Sequence, residues 1–85
     1  MITLRKLIAQ SFERVPTRSE IPPPRGGVIK VGAVRISVRP DRMGPGVFAW
    51  ARSSLAPGEL MEGYGHDHES AVQALVALAL PSGED

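Results

Sequence analysis

Residues 28–39 read VIKVGAVRISVR. Val34, Ile36 and Val38 alternate with Arg35, Ser37 and Arg39, the period of two that a strand with one buried face requires. The earlier apolar positions Ile29, Val31 and Ala33 hold the opposite parity, and Gly32 stands where the phase changes. The preferred reading is one long strand with a bulge at Gly32. The alternative is that Gly32 and Ala33 form a tight turn between two short strands.

The stretches that follow extend the sheet. Residues 40–46, PDRMGPG, are a turn by composition. Residues 47–54, VFAWARSS, predict a second strand, with Val47, Ala49 and Ala51 on one face and Phe48, Trp50 and Arg52 on the other. LAPG (55–58) is a further turn. ELMEGYG (59–65) predicts a third, edge strand in which Leu60 and Tyr64 share a face with Glu62. Connections this short imply antiparallel neighbours.

Helices flank the sheet. In TLRKLIAQSFERV (3–15), Leu4, Leu7, Ile8, Ser11, Phe12 and Val15 line one side at 3.6 residues per turn, with Thr3 as cap and Pro16 as stop. PTRSEIPPPRGG (16–27) reads as a semi-rigid linker. A second helix is predicted over 67–80. Asp67 is its natural cap, or His66 caps it with Glu69 at the third helical position, and Pro81 and Gly83 close it. Ala71, Ala74, Leu75, Leu78 and Ala79 form the face meant for the sheet, with Val72 at its border. Val76 and Leu80 fall elsewhere. That second apolar side needs a cover, from the first helix or from another chain, which makes Val76 and Leu80 the candidate partner surface. The expected architecture is α+β: a two-layer sandwich in α-β-β-β-α order, its three-stranded antiparallel sheet covered by helices.

Composition bounds the function. Eighty-five residues make one small domain, and a chain this short buries limited surface. It has no cysteine, which excludes disulfides and thiolate metal sites. No secretory leader and no apolar run near 20 residues is present, so the expectation is a cytoplasmic protein without a membrane span. The net charge of +1 conceals an asymmetry. Residues 1–42 hold nine Arg and Lys against three Asp and Glu, a net +6, while residues 43–85 hold one against six, a net −5. Such asymmetry either marks an anion-facing surface or two halves that neutralise each other.

Candidate chemistry is sparse. His66, Asp67, His68 and Glu69 stand in a row, but residues two apart on a helix do not face each other, and no third histidine exists. No metal site and no cofactor is expected. Ser53 and Ser54 have no spacing to a base, and the Gly44–Gly46 and Gly63–Gly65 turns lack a nucleotide-loop context. The chain reads as a non-enzyme. Nucleic-acid binding has more behind it: Arg35 and Arg39 share the outward face of a strand, Arg42 follows in the turn, and Trp50 sits beside Phe48 on a strand face. Arginines beside aromatics can neutralise phosphates and stack bases. The competing role for Trp50 is core packing.

Two families are similar in part. The helix–strands–helix order, with GYGHDHESAVQALVALAL (63–80) entering the last helix, resembles a double-stranded-RNA-binding domain. The lysine cluster that family places at this helix start is replaced here by His66, Asp67, His68 and Glu69. The segment 34–75, with its aromatic second strand, Pro–Gly turn, Gly65, Glu69, Ala71 and Leu75, resembles a HicB-like antitoxin domain. That likeness implies a module that binds a protein partner and often self-associates. The expected function is accordingly a small protein-interaction module, antitoxin-like, that regulates or inhibits a partner protein and forms a possible homodimer. The alternative is a nucleic-acid-binding module using a basic sheet face and the basic first helix.

Overall fold

The computed structural model describes residues 2–80. Two helices, α1 (Leu4–Ser11) and α2 (His68–Ala79), accompany four strands: β1 (Val28–Val31), β2 (Val34–Pro40), β3 (Val47–Arg52) and β4 (Met61–Gly65). The strands form one antiparallel meander in the order β1-β2-β3-β4. The α+β class holds, but the sheet has four strands and not the three expected. Pro81 and Gly83, expected to close α2, lie outside the described residues.

The extra strand comes from Gly32. Val31 pairs with Val34, so Gly32 and Ala33 are the two-residue loop of a hairpin and not a bulge. Gly32 has φ +56°, and Ala33 stays at negative φ, which is the pattern of a turn with glycine first. A two-residue turn places its flanking residues opposite one another on the same face. The parity change in the sequence is therefore what a hairpin produces, and Ile29 and Ile36 come together in the core.

The helix-facing side of the sheet carries Ile29, Val34, Ile36, Ala49 and Ala51, all buried with Leu4, Leu7 and Ile8 of α1 and Ala71, Leu75 and Ala79 of α2. Along β4 that side carries Met61, which packs partly buried against the core, and then Gly63 and Gly65. A Cβ on Gly63 would lie 2.5 Å from the Ala71 carbonyl oxygen and 2.6 Å from the Leu75 amide nitrogen. One on Gly65 would lie 2.5 Å from Ser70 Cβ. Helix backbone thus rests directly on strand backbone, which only glycine permits at this spacing.

Helix ends follow local chemistry. The Thr3 hydroxyl accepts from the Lys6 amide at 3.2 Å, and Glu59 reaches from the β3–β4 loop to accept from the Leu4 amide at 2.8 Å. A carboxylate there also complements the helix dipole. Asp67 caps α2, accepting from the Ser70 amide at 2.9 Å. α1 stops at Ser11, short of the expected residue 15, with Phe12 already extended. Pro16 has no N–H to offer the Phe12 carbonyl and forces Val15 from the helical region, so the chain leaves the helix before reaching it.

Residues 16–27 are not a free linker. Ile21 is buried in the core, and the Gln73 side chain donates to the Pro16 carbonyl at 2.9 Å. A 3₁₀ turn, Arg18–Glu20, lies over the start of α2, where Arg18 bonds Asp67 and Glu69. Arg14 binds Glu20 through two bonds of 2.9 and 2.7 Å. The Arg18 guanidinium, and then the Ser70 amide, hold the Asp67 carboxyl well below the usual carboxylate range. Arg14 and the Thr17 amide bring Glu20 down to about 2 from an ordinary 4.5. A carboxyl depressed in the folded state stabilises the fold fully above its unfolded pKa and ceases to as pH falls through the folded value. The melting temperature should therefore fall between about pH 5 and pH 2, and Arg14→Ala with Arg18→Ala should flatten that fall. Circular-dichroism melts across the range check it; an undiminished fall in the double variant would remove these pairs as its cause.

α2 is rotated from its expected setting. Val76 is 0% exposed and belongs to the core, Leu80 packs partly buried against it, and Leu78 is 57% exposed. The Ala71, Leu75 and Ala79 stripe meets the sheet. Val72 meets Phe12 of the α1 exit and Ile21 around a hollow of about 350 Å³. Arg5 of α1 donates to the Leu78 carbonyl at 3.1 Å. Val76 thus lies in the same core as Leu4, Leu7 and Ile8 of α1 and is no open partner surface, while Leu80 is only partly covered.

Candidate nucleic-acid interface

The sheet side opposite the helices is set by register. Lys30 pairs with Arg35, and Arg35 with Arg52, so three cations stand in one row across β1, β2 and β3. The next row runs Val28, Ser37, Trp50, Glu62. The third runs Arg39, Phe48, Tyr64. Rows are two residues apart, about 7 Å along an antiparallel strand.

The cation row is costly as built. Directly opposed side chains on adjacent strands stand about 4.5–5.5 Å apart at Cβ, and like charges there destabilise the pair. None of the ion pairs among the described residues involves Lys30, Arg35, Arg39 or Arg52. Lys30, Arg35, Arg39 and Arg52 are all exposed. Beside them opens a hollow of about 520 Å³ whose polar lining is Lys30, Arg35, Ser37, Arg52, Ser53 and Ser54. That lining contains no carboxylate. It is hydroxyl and cation, the chemistry that binds oxyanions.

The aromatic residues are held together. Phe48 stacks on Trp50 with centroids 5.5 Å apart and planes 19° apart, and meets Tyr64 at 4.7 Å and 58°. Tyr64 is fixed in turn. Its ring lies over Gly46, where a Cβ would run into it, and its hydroxyl donates to Asp41 at 3.3 Å. Partial desolvation, then the bond to Asp41, raises the phenol above its usual range and keeps it a donor. Asp41 also accepts from the Met43 amide at 2.9 Å, which organises the β2–β3 loop. A second hollow, about 330 Å³, lies beside Trp50, lined by Ser37, Arg39, Arg52 and Leu60.

Of the residues expected at a nucleic-acid site, Arg35, Arg39 and Trp50 share this face. Trp50 is half-buried under its neighbours but remains on the side away from the helices. Arg42 sits beyond the end of β2, in the β2–β3 loop, outside the three rows. Lys30 and Arg52 were missed as members of the site, along with Ser37 and Tyr64. The hairpin register was the signal for Lys30, since only that turn sets it opposite Arg35. The α2 start is a different environment: His66 and His68 lie 3.4 Å from Asp67 and Glu69, respectively, and Arg18 is engaged with both carboxylates. No cluster of three or more potential metal ligands occurs among the described residues.

Among the described residues no helix is long and apolar enough to cross a membrane. No family model matches the chain, and comparison with curated proteins and with solved structures also found no match.

Proposed function

We propose that this chain is a non-enzymatic module that binds nucleic acid on the uncovered face of its sheet. The frame is a two-layer α+β sandwich, with both helices beneath the sheet and the rows of Arg35, Trp50 and Phe48 above. The observation that carries the reading is the Lys30–Arg35–Arg52 row, three mutually repelling cations that pair with no carboxylate among the described residues, beside a hollow with serine hydroxyls in its wall. A phosphate backbone relieves that repulsion, and releasing its counterions drives binding. The aromatic side chains of the next two rows support nucleic acid over a simple anion, because bases supply flat faces that Trp50 and Tyr64 suit.

The test is a titration of labelled single- and double-stranded oligonucleotides at about 50 and 200 mM salt. Three phosphates neutralised on a single strand give a log–log salt slope near −2, a loss of about 20-fold over that range. Absence of binding at 50 mM would remove the reading. One further observation favours a protein partner instead: among the described residues β4 is an edge strand with no strand on its outer side, flanked by exposed Leu60. An antitoxin-like partner that adds a strand there is the reading that would take its place.

A further inference from the structure

We propose that the ligand is single-stranded, with one base laid against the Trp50 indole and its flanking phosphate on the Lys30–Arg35–Arg52 row; this rests on the nucleic-acid reading above. The two hollows of the open face are neighbours. The one beside Trp50 and the one over the cation row share Ser37 and Arg52. The first sets the Trp50 ring and Leu60 beside Arg39, Arg52 and Ser37, and the second adds Lys30 and Arg35. Only the first offers a ring on which a base can lie, and both offer cations to its phosphate.

The spacing agrees. Trp50 and Arg52 are two residues apart on β3, as are Ser37 and Arg35 on β2, so stacking site and phosphate row stand about 7 Å apart. That is comparable to one nucleotide step of an extended strand. Phe48 holds the indole from one side at 5.5 Å, and the hollow opens beside it between Arg39 and Arg52. The indole is thereby oriented before a ligand arrives, which lowers the ordering cost of binding.

A duplex cannot use this site. Its bases present their faces to one another, and only an unstacked base can lie on Trp50. The α2 start offers no route to a duplex either, because Asp67 and Glu69 would oppose phosphates and Arg18 is already bound to them.

Trp50 is the sole tryptophan, so its fluorescence reports the site directly. The experiment titrates the full chain with a thymidine decamer, the same decamer carrying abasic sites throughout, a matched duplex and polyglutamate, at about 50 mM salt. The expected result is quenching of the emission by the decamer alone, with the abasic strand and duplex binding more weakly. Trp50→Ala should weaken the decamer about 5- to 150-fold, and Trp50→Phe should retain most of the affinity. Melting curves of both variants establish that they fold, and the abasic comparison needs no variant. Equal affinity for intact and abasic strands, or for duplex, would overturn base stacking while leaving phosphate binding in place. Equal affinity for polyglutamate, or no binding to any of the four, would overturn the nucleic-acid reading with it.

Discussion

Gly63→Val should severely destabilise the fold. A Cβ at this position would be 2.5 Å from the Ala71 carbonyl oxygen and 2.6 Å from the Leu75 amide nitrogen, both backbone atoms of α2. Neither can swing away as a side chain would. The helix would have to lift from β4, and Leu75 and Val76, both fully buried, would lose their seat. Over-packing a core costs about 1–3 kcal/mol, and the branched valine against helix backbone belongs at or beyond the top of that range. In a domain of this size about 3 kcal/mol lowers the melting temperature by roughly 12–24 °C. Gly58→Ala is the control. Gly58 lies at φ +85° with no atom within 4 Å of an added Cβ, so its cost is backbone strain alone, about 1 kcal/mol. Thermal melts of the two variants compare them. A Gly63→Val protein as stable as Gly58→Ala would contradict the close helix-on-strand contact.

The same glycines show how far the sequence could be read. The strand period in 34–39 marked its buried face, that in 47–52 sorted two faces without saying which is inward, and Asp67 was recognisable as a cap because its chemistry is local. Gly32 was ambiguous because a bulge and a two-residue turn both change the phase of a strand; only the pairing of Val31 with Val34 separates them. The position of α1 was not legible. A helical wheel says that Val76 and Leu80 need a cover but not from which element it comes, and Leu78 could not be told from Val76 by hydropathy. Nor did the proline run betray that Ile21 anchors residues 16–27 to the core. These are questions of tertiary contact between elements far apart in sequence, where propensity and period are silent.

The site was half legible for the same reason. Arg35 and Arg39 lie on one strand and their common face follows from alternation alone. Lys30 and Arg52 join them through register across β1 and β3, and that depends on the hairpin. Trp50 belongs to both readings weighed for it. It is half-buried, yet on the open face, where aromatic neighbours cover part of the ring.

Charge reversal on this face has the second large effect. Arg35→Glu combined with Arg39→Glu replaces two cations among those facing the ligand, and sets carboxylates where phosphates would lie. Each lost or reversed contact removes counterion release and adds repulsion, so binding should fall below detection at about 50 mM salt. Stability should move the other way. Glu at 35 would stand between Lys30 and Arg52 and convert two opposed like-charge pairs into two attractive ones, each a few tenths of a kcal/mol to about 1. A face that becomes more stable when its ligand contacts are reversed has been kept for binding and not for folding.

Paired measurement of oligonucleotide affinity and melting temperature for the wild type and this double variant therefore tests the central claim most directly. The account predicts salt-sensitive binding of a single strand by the wild type, none by the variant, and a melting temperature for the variant equal to or above that of the wild type. Undiminished binding by a folded variant would contradict it, and would move the ligand off this face of the sheet.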